Sequence, residues 1–202
     1  NRPPFGGDLA VLPEAGTAMT TAFEVRARGW TDDEEDLPLA YGFSYVRRSA
    51  GSAAGGAVPL TNLSEPLSDF IKSTDLTVFL PEGTVDLGVA VVDFYGARAE
   101  ARTVAEVAGP EVFGCEEVAA VLLEADTATG VGSPATSKQL LAAVADAADG
   151  LDCAIDDTAF SEVALDLAAS AQDAAPPTSA NVAQGASTLG RLLGGRAGLT
   201  AG

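Results

Sequence analysis

Between residues 8 and 107 apolar side chains return at every second position, and beyond Gly109-Pro110 that period is lost. Only an extended chain places alternate residues on one side, so the first stretch is constrained to half-buried strands. Phe23, Val25 and Ala27 share one face, while Glu24, Arg26 and Arg28 take the other. Leu39, Tyr41, Phe43 and Tyr45 alternate in the same way with Ala40, Gly42, Ser44 and Val46. Leu76, Val78 and Leu80 form a shorter run closed by Pro81-Glu82-Gly83, a turn signal in which proline presets φ and glycine accepts positive φ. Val85, Leu87, Val89 and Val91 alternate up to Asp93, Tyr95-Gly96 turns the chain, and Arg98, Glu100, Arg102 and Glu106 mark the wet face of a last strand.

Together with residues 8–12 these runs predict about seven strands in roughly 100 residues, the size of an immunoglobulin- or fibronectin III-like β-sandwich. The Gly/Ala/Ser-rich stretch 49–57 reads as a loop within it. From Cys115 onward Ala, Leu, Glu and Asp recur with helical spacing, so a boundary is expected between a β-domain at 1–108 and an Ala-rich helical region at 109–202. Val118, Val121 and Leu122 share a face of the first helix, and 130–133 is a linker. Ser133-Pro134 is an N-cap followed by proline at the first helical position, after which Leu140, Leu141, Val144 and Ala148 form a stripe that Gly150 ends. Asp156 or Asp157 caps a third helix with Phe160, Val163, Leu167 and Ala171 inward, and a fourth follows Pro176-Pro177 from Ser179 to Leu193. The expected architecture is therefore a β-sandwich followed by a small all-α helical bundle.

Composition removes whole classes of function. Hydrophobic residues make up 47% and charged residues 20%, enough apolar surface for real cores. Eleven Lys plus Arg against 29 Asp plus Glu leave a net charge of -18, a surface that repels nucleic acid and anionic lipid. With no His, a His-based triad and any His-ligated metal are excluded. Gly-x-Ser-x-Gly and a phosphate loop are absent, and carboxylates are so frequent that no pair is singled out as acid and base. No catalytic residue is named, and the chain is read as no enzyme. No run of about 18 apolar residues is present, so this segment does not insert into a membrane. Asn1 carries neither an initiator Met nor a signal peptide, which predicts a segment of something longer.

Three weaker signals bear on chemistry. The run Asp32-Asp33-Glu34-Glu35-Asp36 follows Trp30 before a strand, and Asp32, Asp33 and Asp36 are candidate ligands for Ca²⁺, which takes six to eight oxygens. No Asp-x-Asp-x-Asp-Gly loop accompanies them, so a solvated turn explains the same run. Asp93, at a strand end, could approach that turn in a sandwich, though a lone Asp before a turn more often bonds its own backbone. No other cofactor is implied. Asn62-Leu63-Ser64 is a glycosylation sequon, marking Asn62. Cys115 and Cys153 fit one disulfide or two buried thiols; antiparallel helices joined by a short loop would bring them together, and the closed loop would stabilise the fold by about 3–4 kcal/mol in the chain-entropy model. Such a bridge implies an oxidising compartment.

Spaced elements over 1–107 resemble a known module. Asn1-Arg2-Pro3-Pro4-Phe5-Gly6-Gly7, Val11-x-Pro13-x-x-Gly16, Gly29-Trp30-x-Asp32, Leu37-Pro38-Leu39-x-Tyr41-x-Phe43, Leu80-Pro81-x-Gly83 and Val91-Val92-Asp93-x-x-Gly96-Ala97-Arg98 occur in the order found in the receptor-for-egg-jelly module of polycystin-type proteins. The helical remainder is similar to the stretch that follows there, without its self-cleavage motif. This resemblance implies a structural or adhesion module of a large extracellular glycoprotein of cilia, flagella or cell surfaces. Its partners would be other extracellular proteins or neighbouring domains of the same chain, or carbohydrate held on an aromatic platform of Trp30, Tyr45 or Tyr95.

Overall fold

A computed structural model describes residues 2–48, 64–109, 115–130, 134–148, 157–175 and 178–194. Among these residues eight strands precede four helices: β1 (Asp8–Leu12), β2 (Ala15–Thr17), β3 (Phe23–Arg28), β4 (Ala40–Arg47), β5 (Glu65–Pro66), β6 (Asp75–Val78), β7 (Gly83–Val92), β8 (Arg98–Ala108), then α1 (Cys115–Gly130), α2 (Pro134–Ala148), α3 (Asp157–Ala174) and α4 (Ser179–Gly194). The alternating runs become strands and the Ala/Leu runs become helices. β2 and β5 were not expected: at three and two residues neither is long enough to display a period, and both exist by pairing, β2 parallel to β8 and β5 antiparallel to β4.

The strands form a three-stranded sheet in the order β1-β3-β6 and a five-stranded sheet in the order β2-β8-β7-β4-β5. Register follows the alternation, because a slip by one residue would exchange the buried and wet faces. Phe43 stands opposite Val89 and Tyr45 opposite Leu87 across β4 and β7, while Val25 stands opposite Val11 across β3 and β1. Inward side chains of both sheets meet in one cluster that includes Leu9, Val11, Phe23, Val25, Phe43, Val78, Val85, Leu87 and Val89. The outer face of β8 is wet, and Arg98 pairs there with Glu100 at 2.8 Å. β3 lies in one sheet and β4 in the other, so the segment joining them crosses from sheet to sheet.

The helices bury a second cluster of Val118, Val121, Ala125, Leu140, Leu141, Val144, Ala164 and Ala168, and Met19 from the β2–β3 connection sits inside it with Phe79 against it. Met19 adopts φ 65, the left-handed region that a side chain rarely takes. Polar contacts make the same junction. Gln139 Oε1 of α2 accepts from the Phe79 amide at 3.1 Å, and Asp69 accepts from the Thr178 hydroxyl at 2.6 Å and from Asn181 Nδ2 at 3.3 Å. Thr178 Oγ1 in turn accepts the Asn181 amide at 3.2 Å, so the residue that caps α4 is held by the β-region. Lys138 is only 1% exposed; its Nζ donates to Gln172 Oε1 at 2.8 Å and to the Asn181 carbonyl at 3.2 Å, tying α2 to α3 and α4. Burial pulls its pKa down against the opposing pull of Asp69.

One inward assignment is corrected. Val163 is half exposed, and Ala164 and Ala168 join the expected Ala171 and Leu167 on the inward face of α3. Small residues let helices approach closely, so a face of alanines is buried although a more hydrophobic stripe lies beside it. Phe160, Ala148 and the cap residues Ser133 and Asp156 belong to expectations that fall outside the side chains described. The expected Cys115–Cys153 pairing and the Asn62 sequon do so too, since Cys153 and Asn62 are not among the described residues.

A candidate metal centre beside an exposed aromatic turn

The β3–β4 crossover is fixed at its start by the Gly-Gly and Gly-Trp elements of the sequence. The Trp30 ring lies against Gly7, where any Cβ would run into the indole, and Trp30 Nε1 donates to the Asp8 carbonyl at 3.3 Å. Phe5 and Thr31 exchange backbone hydrogen bonds of 3.0 and 3.1 Å. The chain then makes a 3-10 turn over Glu34–Asp36, in which the Asp36 amide donates to the Asp33 carbonyl at 2.9 Å.

The β7–β8 turn comes to meet it. Asp93 closes that turn: its Oδ1 accepts the Ala97 amide at 2.9 Å, its own amide donates to the Ala97 carbonyl at 3.1 Å, and Gly96 takes the required positive φ of 88°. The next amide, that of Phe94, donates to the Asp36 carbonyl at 2.9 Å. Asp93 thus bonds its own turn and also approaches the acidic run.

Carboxylate oxygens of Asp32, Asp36 and Asp93 lie within 4.8 Å of one another. Asp36 and Asp93 are each 7% exposed, and Asp32 is half-buried. Asp93 Oδ2 and Asp32 Oδ2 are both buried without a hydrogen-bond partner. Burial raises the pKa of Asp36, and the Asp32 and Asp93 charges add to the rise. Asp33 is exposed and outside the group; its amide donates to Asp32 Oδ1 at 2.9 Å. The period of two and the turn residues reveal Asp93 as a strand end, and the pairing of β4 with β7 in one sheet sets it beside Asp36.

The three aromatic residues expected to form a platform do not share one surface role. Tyr45 is buried, with its hydroxyl donating to Glu65 at 2.7 Å, and Trp30 packs partly against the sheet core. Tyr95 is 65% exposed, and its ring stands edge-on to Phe94, which is 67% exposed, with centroids 5.2 Å apart. This pair projects from the residues that follow Asp93.

A family model described as REJ domain matches residues 1–139, a span that holds all eight strands, α1 and the start of α2. No curated protein matches the sequence. Among the described residues, no helix is long and apolar enough to cross a membrane.

Proposed function

The chain belongs to the REJ domain family, and from that membership we propose that it is a non-enzymatic structural segment of a large cell-surface protein, mediating assembly with extracellular neighbours. REJ domains come from extracellular polycystin-type proteins and form a family of non-catalytic modules. In this reading the two sheets are an immunoglobulin- or fibronectin III-like sandwich, the four helices are a bundle, and the parent protein stands on a ciliary, flagellar or other cell surface. The observation that carries the structural role is the junction at Met19, Phe79 and Asp69, where apolar packing and side-chain hydrogen bonds join helices to sheets. A segment that transmits load or holds neighbours at fixed spacing needs such a joint, because a free linker would absorb the displacement.

Mass measurement of native surface material with and without reductant, followed by glycan mapping, tests the extracellular reading. The expected result is a Cys115–Cys153 bridge and sugar on Asn62; free thiols at both cysteines would count against it. A second reading, carbohydrate binding, is favoured by the exposure of Tyr95 and Phe94, since a flat apolar ring face suits the C–H face of a sugar. A glycan array on which the wild-type chain binds and a Tyr95→Ala chain does not would support it, and silence would remove it.

A further inference from the structure

We propose that Asp32, Asp36 and Asp93 form a Ca²⁺ site that clamps the β3–β4 crossover to the β7–β8 turn. The inference goes beyond the structural role proposed above and stands or falls separately. It rests on two independent observations. Three carboxylate oxygens from two distant segments lie within 4.8 Å of one another, close enough for one cation to touch all three. Asp93 is also more than nine-tenths buried, yet its Oδ2 has no partner, and its other oxygen is already taken by Ala97. A buried acceptor left in this state costs free energy unless something binds it. Asp32 Oδ2 is in the same state.

The donor set selects the ion. The group is all oxygen and the chain has no His, so a borderline metal has no preferred ligand among these residues. Mg²⁺ demands near-ideal octahedral geometry at about 2.0–2.1 Å and releases water reluctantly. Ca²⁺ accepts irregular geometry and completes its six to eight oxygens with water. The site also explains why three like charges are gathered at one end of an already acidic molecule: the cation offsets the repulsion that Asp32 and Asp93 impose on Asp36. Bound there, it holds the turn that carries Phe94 and Tyr95 in one position.

The test uses cation-stripped chain, titrated with CaCl2 by calorimetry and melted with and without Ca²⁺, alongside Asp36→Asn and Asp93→Asn; the asparagine at 93 keeps an oxygen for the Ala97 amide. Wild-type chain is expected to bind one Ca²⁺ with Kd of about 10⁻⁴–10⁻³ M, as extracellular modules do, and to melt several degrees higher with the ion than without it. Each variant is expected to weaken Ca²⁺ at least about ten-fold and to lose the melting shift. MgCl2 is expected to give a smaller shift. Identical melts of wild-type chain with and without millimolar Ca²⁺, or a shift of undiminished size in Asp36→Asn, would overturn the site. Should Asp93→Asn fail to fold, Asp36→Asn decides alone, because removing a buried charge there leaves the backbone bonds of the turn in place.

Discussion

The Phe94 amide donates to the Asp36 carbonyl at 2.9 Å, so the turn after β7 is bonded to the 3-10 turn before β4. That bond holds the Asp36 carboxylate close to Asp93, and the pKa of Asp36 is raised by burial first and by Asp32 and Asp93 after it. The folded metal-free chain therefore binds the Asp36 proton more tightly than the unfolded chain does. The resulting stabilisation is complete below the ordinary carboxylate range near pH 4 and is lost as pH rises through the elevated folded value. Urea unfolding of cation-stripped chain from pH 4 to pH 7 should show wild-type chain losing stability relative to Asp36→Asn as pH increases. A constant difference between the two would contradict the assignment.

Met19 is predicted to act as the plug that seats the helices on the sheets. Met19→Ala removes its side chain from the second cluster and should cost about 2–5 kcal/mol, read as a lower urea midpoint. Met19→Gly separates two effects, since glycine relieves the positive φ while emptying the same space. It should therefore be less destabilised than Met19→Ala, by up to about 1 kcal/mol.

Asp69 is predicted to secure the start of α4. Asp69→Ala removes the acceptor of both Thr178 and Asn181 and should cost about 1–2 kcal/mol, with faster amide exchange in the first turn of α4 than elsewhere in the helices. Unchanged exchange at Val182 and Ala183 would contradict this.

Gly7 is predicted to be irreplaceable for a packing reason. A methyl at that position meets the Trp30 indole, so Gly7→Ala should cost about 1–3 kcal/mol and move the emission of the one tryptophan to longer wavelength as the ring is pushed towards water.

How far the sequence foretold this arrangement depended on the range of the interaction that decided each part. Strands such as β3 and β4 and the existence of the four helices were legible, because alternation and helical spacing act within a few residues, whereas α1 runs on to Gly130, past the Ala125 end that the sequence suggested. β2 was not, since three residues carry no period and the parallel partner β8 lies about 90 residues on. Val163 was read as inward because hydrophobicity favours valine over alanine, whereas close helix contact favoured Ala164 and Ala168. The acidic run named Asp32, Asp33 and Asp36, and Asp93 was legible as a strand end able to reach that turn; Asp93 joins the group, while Asp33 stays in solvent. Only the register that places β7 beside β4 brings Asp93 to that place.

Sheets and helices, joined at Met19 and Asp69, are predicted to unfold as one body. The chain supplies its own pair of reporters, because Trp30 packs at the edge of the sheet core and helical ellipticity at 222 nm reports α1 to α4. Both signals, followed through one urea titration, should give superimposable transitions with a common midpoint. Helical signal lost at a clearly lower urea concentration than the Trp30 signal would show two independent units and contradict it.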